Sequence, residues 1–171
     1  MEKKFRHYLA EFDTPQIYCD MDGVLADFDK AIKDQIGGSF NDERWYELSD
    51  DFFLNLEPMS DAKKLWGFIG KYDPFILTAI PRSERGPIAA RATEDKTRFM
   101  KRWFGVSADR MYPVMRADKM RFAKDGRDGR PNLLIDDHPK NILQFSSAGG
   151  IGVRHTSASN TIKQLKEIGY T

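Results

Sequence analysis

One cysteine, Cys19, stands in 171 residues, which excludes an internal disulfide and any cysteine-rich zinc site and agrees with a reducing compartment. Long hydrophobic runs are missing. None approaches the ~20 residues of a membrane span, and the start MEKKFRHYLAEFD carries charges where a signal peptide needs its apolar region. A cytosolic chain is expected, with no membrane partner. Net charge is nearly absent, with 27 Lys and Arg against 26 Asp and Glu, so no global field favours nucleic acid or an acidic membrane. Repeats and low-complexity tracts are lacking too. What is present, 40% apolar with 12% aromatic residues, is too hydrophobic for a disordered chain. At this length folding buries roughly 70% of the unfolded surface. One globular domain with a small insert is expected.

The neutral total conceals segregation. Glu11 to Asp61 holds 14 acidic and 3 basic residues, whereas Arg82 to Arg130 holds 14 basic and 7 acidic ones. Such runs are either solvated faces or an acidic group that gathers a metal beside a basic group that meets an anion. Motifs have to decide.

Along the chain, Ile17 to Met21 (IYCDM) reads as a short buried strand, and Asp27 to Ile36 as a helix stopped by Gly37-Gly38. Ser39 to Pro58 mixes aromatic and acidic residues without a clean period and reads as an inserted cap. Ser60 is placed to N-cap a helix carrying Leu65, Trp66 and Ile69, before a second strand, Pro74 to Ala79 (PFILTA). Ile80 to Ala92 reads as a long loop bearing Arg82, Arg85 and Arg91, and Thr93 as the cap of a helix that ends at Gly105. Met111 to Met115 forms a third strand, which Pro113 places at a sheet edge. After the turn-rich DGRDGRP come Asn132 to Asp136 (NLLID), a helix from Lys140 to Phe145, a fifth strand Ile151 to Arg154, and a helix from about Ser159 to Ile168. Strands that alternate with helices imply an α/β fold with a five-stranded parallel sheet and helices on both faces.

Ligands of such sheets bind beyond the carboxyl ends of the strands. Strand one ends in Asp20-Met21-Asp22-Gly23, strand two in Thr78 and strand four in Asp136-Asp137, so three strands deliver polar groups to one edge. Two aspartates at a strand end are commonly only a turn. Four carboxylates and a Thr, all following apolar runs, are another matter. Carboxylates held together repel unless a cation joins them, and a hard oxygen cage suits Mg²⁺, which takes phosphate oxygens as further ligands. One carboxylate can attack phosphorus and another protonate the leaving alkoxide. Phosphomonoester hydrolysis fits.

Asp20-Met21-Asp22-Gly23-Val24, then FILT at Thr78, then Lys119, then LLIDD at Asp136-Asp137 resemble in order the four motifs of the haloacid dehalogenase superfamily of phosphatases. DMDGVLADFD, FFLNLEPM and the stretch from Ala117 to Pro139 look like the 5'(3')-deoxyribonucleotidases, and the resemblance covers about residues 17 to 155. It implies a Rossmann-like core (15–29 and 73–171) and a small, mainly helical cap (30–72) inserted after the first strand. It implies Asp20 as nucleophile and Mg²⁺ ligand, and Asp22 as general acid and base that lends the metal its carbonyl. Thr78, Ala79 and Lys119 would hold the phosphoryl group. Asp136 and Asp137 would complete the metal site, Asp137 by orienting its waters. Phe28 falls where the family places an aromatic against the nucleobase, with Trp45 or Phe53 adding to that pocket and Arg116 as substrate arginine.

The chain departs from the pattern in three places. Ala79 stands where Ser is usual, Arg116 lies three rather than two residues before the lysine, and the arginine-bearing loop is long. These bear on nucleotide choice more than on phosphatase chemistry. The expected activity is Mg²⁺-dependent hydrolysis of nucleoside monophosphates, 5'-deoxyribonucleotides in the first place. Sugar phosphates, nucleic-acid 3'-phosphate ends and a non-catalytic phospho-ligand module are the alternatives. The expected partner is a small phosphomonoester, and a homodimer is left open. Lys96 and Lys101 compete with Lys119 but read as a solvated helix face. The cap aromatics read either as the cap's own core or as a wall for a base. His7, His138 and His155 share no metal spacing, and Cys19 reads as core. Ser60-Asp61-Ala62-Lys63 reads as capping rather than a serine-lysine hydrolase motif. Gly149-Gly150-Ile151-Gly152 precedes a strand instead of following one and is a poor dinucleotide fingerprint.

Overall fold

The computed structural model describes residues 14–125 and 129–171. The charged leader with His7 and the middle of the DGRDGRP turn lie outside them. The strands are β1 (Ile17–Cys19), β2 (Phe75–Ala79), β3 (Met111–Val114), β4 (Leu133–Asp136) and β5 (Ile151–Arg154). They form one five-stranded sheet in the order β3-β2-β1-β4-β5, and every pairing is parallel. The α-helices are α1 (Phe28–Ile36), α2 (Ala62–Ile69), α3 (Pro87–Phe104), α4 (Pro139–Ser147) and α5 (Ala158–Ile168). Pro113 sits on the edge strand β3, opposite Thr78 in the register, where its missing N–H costs no ladder bond on the solvent side.

Alternation along the strands sorts the core into two layers. Ile17, Cys19, Ile76, Leu133, Ile135 and Val153 pack with Leu65 of α2, Phe99 of α3 and Leu165 of α5. Tyr18, Leu77 and Leu134 face the other way, onto Phe145 of α4 and Ala123. A parallel sheet needs both faces covered, and near-continuous apolar strands supply both.

Two helix starts differ from expectation. Asp61, not Ser60, stands at the N-cap of α2 and makes no side-chain capping bond there. Its carboxylate instead accepts the N–H of Ala158, 2.7 Å away, and so caps α5. Thr93 lies inside α3, which begins at Pro87. Proline suits the first helical position because its fixed φ matches the helix and its absent N–H is unneeded there. The connection after β2 therefore runs only from Ile80 to Gly86, and Arg91 rides on the helix. The insert between β1 and α2 closes on itself at a backbone neck. Asp27 N–H donates to Glu57 O at 2.8 Å and Met59 N–H to Leu25 O at 2.9 Å. No helix among the described residues is long and apolar enough to cross a membrane.

Candidate active site

Strand order reverses beside β1, with β2 and β3 on one side and β4 and β5 on the other. A doubly wound sheet opens a crevice at the carboxyl ends of the strands flanking such a reversal. The pairing of Cys19 with Ile135 and the Asp20 N–H to Ile135 O bond of 2.8 Å carry the two chains out of the sheet in step. Asp20 and Asp136 emerge side by side.

Lys119 lies between them. Its ammonium is 2.9 Å from Asp20 Oδ1 and 2.8 Å from Asp136 Oδ2, and the lysine is 2% exposed. Asp20 Oδ1 also accepts the N–H of Met21 at 2.8 Å. Among the described residues both bonds to this carboxylate fall on Oδ1, leaving Oδ2 for other work. Asp136 is held by the His138 N–H at 2.8 Å and by Asn141 Nδ2 at 2.9 Å, so the first turn of α4 orients it. Burial pushes the Asp20 carboxyl up to about 8; Lys119 pulls it back, and Asp136 and Asp22 push it further up. Burial, followed by the charge of Asp136, lifts Asp137 to about 6. For Lys119 burial works against the charge, yet Asp20 and Asp136 outweigh it and hold the ammonium above the usual lysine range.

Asp20, Asp136 and Asp137 each offer an oxygen, and these atoms lie within 4.8 Å of one another. The donors are all carboxylate oxygens, and they stay crowded despite Lys119, the condition that a hard divalent cation relieves. The group can bind a metal ion. Gly23 completes the cradle. Its φ is +79°, and a Cβ there would stand 2.3 Å from Asp137 Oδ2, so the turn after β1 has to lack a side chain where it passes Asp137.

A second polar cluster adjoins the first. Thr78 is fully buried at the end of β2, and the ammonium of Lys96 is 2.9 Å from its hydroxyl, 2.7 Å from Ala79 O and 2.5 Å from Asp22 Oδ2. This corrects the expectation of a solvated Lys96, which has no exposed surface at all. Helical spacing carried the signal: Ile88, Ala92, Lys96 and Met100 recur every four residues along the core-facing stripe of α3. Lys101, by contrast, is exposed. Asn141 was also missed, and nothing in its sequence neighbourhood sets it apart from an ordinary helix-start residue.

The cap rings pack on one another. Phe28 meets Phe40, Trp45 and Phe52 edge-on, at centroid distances of 5.5, 6.3 and 5.4 Å. Phe53 is buried beside Trp45, and the Lys96 ammonium lies 4.4 Å from its ring centre. Phe28 and Trp45 keep part of their surface open. Arg85 pairs with Asp42 of the cap, whose carboxylate also accepts the indole N–H of Trp45. Arg116 is exposed on the turn that leads to Lys119. Burial lowers the His138 pKa and the Arg116 charge lowers it further. His155 is buried against Thr161, and Cys19 is buried in the sheet.

No protein-family model matches the chain. Over 131 residues, 75% of this chain and 69% of the relative, it is 28% identical to a protein of Vibrio phage KVP40 named "Putative 5'(3')-deoxyribonucleotidase". The chain is related to a nucleotidase-like protein.

Proposed function

We propose that this chain is a Mg²⁺-dependent phosphomonoesterase of the haloacid dehalogenase type that hydrolyses nucleoside monophosphates, 5'-deoxyribonucleotides in the first place. The observation that carries the reading is the placement of Asp20, Asp136 and Asp137 around one point at the strand-order reversal, with Lys119 between two of them. The name of the phage relative supports the nucleotide as substrate.

Asp20, Asp136 and Asp137 would hold Mg²⁺, which supplies charge neutralisation at the phosphoryl oxygens when bound. Asp20 attacks phosphorus through Oδ2, the oxygen that Met21 and Lys119 leave free, and the bond from phosphorus to the ester oxygen breaks. Asp22 gives its proton to the departing alkoxide. It then takes a proton from the water that attacks the aspartyl-phosphate, so phosphate leaves and the Asp20 carboxylate is restored. Lys119 and the Thr78 hydroxyl face the charge that develops on the phosphoryl oxygens. Phe28 and the cap's Trp45, both half-open, offer the nucleobase a wall.

A phosphate-release screen tests this with nucleoside monophosphates, sugar phosphates and 3'-phosphorylated oligonucleotides, in Mg²⁺ and in excess chelator. The expected result is metal-dependent release, fastest from deoxynucleoside 5'-monophosphates, that Asp20→Asn abolishes while leaving the fold intact. Turnover within tenfold of the parent in Asp20→Asn, or full activity in chelator, overturns the mechanism. Release confined to sugar phosphates or to oligonucleotide ends overturns the substrate.

A further inference from the structure

Lys96 is the largest feature of the site that the proposed mechanism leaves without work. It is wholly buried, and a buried ammonium is tolerated only when every donor is matched. Here all three are matched. They go to Asp22 Oδ2 at 2.5 Å, Thr78 Oγ1 at 2.9 Å and Ala79 O at 2.7 Å, and the face of Phe53 covers the remaining side at 4.4 Å. No N–H is left for a substrate, so Lys96 does not touch the reacting atoms. What it does is constrain two groups that do.

The constraint follows from donor chemistry. A lysine ammonium only donates, so Thr78 Oγ1 has to accept, and the hydroxyl hydrogen is freed to point away from Lys96 as a donor. On Asp22 the ammonium engages one oxygen alone. Oδ1 is buried and has no hydrogen-bond partner among the described residues. Of the two Asp22 oxygens, Oδ1 is therefore the one open to give or take a proton.

We propose that Lys96 is a positioning residue that fixes Asp22 with Oδ1 free for proton transfer and turns the Thr78 hydroxyl outward as a phosphoryl donor. Lys96 and Lys119 thus divide the work from opposite faces of the sheet. Lys96 enters on α3, among the core of one layer, and Lys119 sits on the turn before Ala123, which packs in the other. Lys119 serves the nucleophile and the metal ligands. Lys96 serves the acid. The proposal rests on the phosphomonoesterase reading, and parent activity tests that reading separately.

The test compares parent, Lys96→Met and Lys96→Gln on a 2'-deoxynucleoside 5'-monophosphate, whose alkoxide leaving group needs a proton, and on 4-nitrophenyl phosphate, whose leaving group does not. For Lys96→Met, kcat on the nucleotide falls by about 10²–10⁴ and on the aryl ester by at least about tenfold less, the loss common to both substrates being that of the Thr78 donor and the excess that of the positioned acid. Lys96→Gln, which keeps N–H donors toward Asp22 and Thr78, recovers at least about tenfold of the nucleotide loss. Melting curves with and without Mg²⁺ establish that both variants fold and keep the metal-induced shift. Equal losses on the two substrates, or a nucleotide loss under about threefold, overturn the positioning role. So does failure of both variants to fold, which would make Lys96 a packing ion pair. A parent that releases phosphate from neither substrate overturns the phosphatase reading itself.

Discussion

Gly23→Ala separates the cost of backbone strain from the cost of losing a metal-site carboxylate. Gly23 has φ +79°, and a Cβ would stand 2.3, 2.6 and 2.9 Å from Asp137 Oδ2, Cγ and Oδ1. All three atoms of the carboxylate are in the way, so the Asp137 side chain has to leave its place. Gly37 provides the control: its φ is +66°, and a Cβ there meets nothing within 4 Å. An L-residue in this left-handed region costs roughly 1–2 kcal/mol. In a domain of this size about 1 kcal/mol moves the melting temperature by about 2–4 °C. Both alanine variants should therefore melt about 2–8 °C below the parent without metal. Gly23→Ala should sit at the steeper end, because it adds the displacement of the Asp137 carboxylate to the same backbone strain. The two part company with Mg²⁺. Displacing a group that supports a metal site typically costs 10–100-fold in affinity, so calorimetric titration should show that loss for Gly23→Ala and none for Gly37→Ala. An affinity in Gly23→Ala within about threefold of the Gly37→Ala value would refute the clash and the part given to Asp137.

Two other outcomes are expected. Asp20 has its pKa raised to about 8 by burial, against about 3.9 in an unfolded chain, so the folded state holds the extra proton. Its stabilising effect is complete below the unfolded value and is lost as pH rises through about 8. His155, lowered by burial, has the opposite slope but has finished titrating above about 6.5. Between about pH 6.5 and 8.5 the metal-free melting temperature should therefore fall, and saturating Mg²⁺, which favours the carboxylates, should flatten it. A flat metal-free profile would contradict the crowded site. Phe28→Ala should raise KM for nucleoside monophosphates by about tenfold, within the 1–3 kcal/mol of one stacked base, and change 4-nitrophenyl phosphate hydrolysis much less. Equal effects on both would show that Phe28 only packs against Phe40, Trp45 and Phe52.

What could be read from the sequence alone is what local patterns encode. Five apolar runs with turn residues between them specify strands, and polar residues at the ends of three of them specify the edge where Asp20, Thr78 and Asp136 gather, because parallel strands all end on the same side. Helix bounds were less legible. Asp61 and Thr93 are both plausible capping residues by type, yet Asp61 serves the start of α5, 97 positions away, and Thr93 is overrun by a helix that Pro87 starts earlier. The largest gap was Lys96. A lysine on a helix reads as solvated because burying it alone is prohibitive, and only the fold brings Asp22, 74 positions distant, to within 2.5 Å of its ammonium. Tertiary structure likewise decided that the cap rings pack on one another, and that a glycine after β1 has to make room for Asp137. Strand formation depends on neighbours in the chain, whereas a buried charge is tolerable only once its partners have arrived from elsewhere in it.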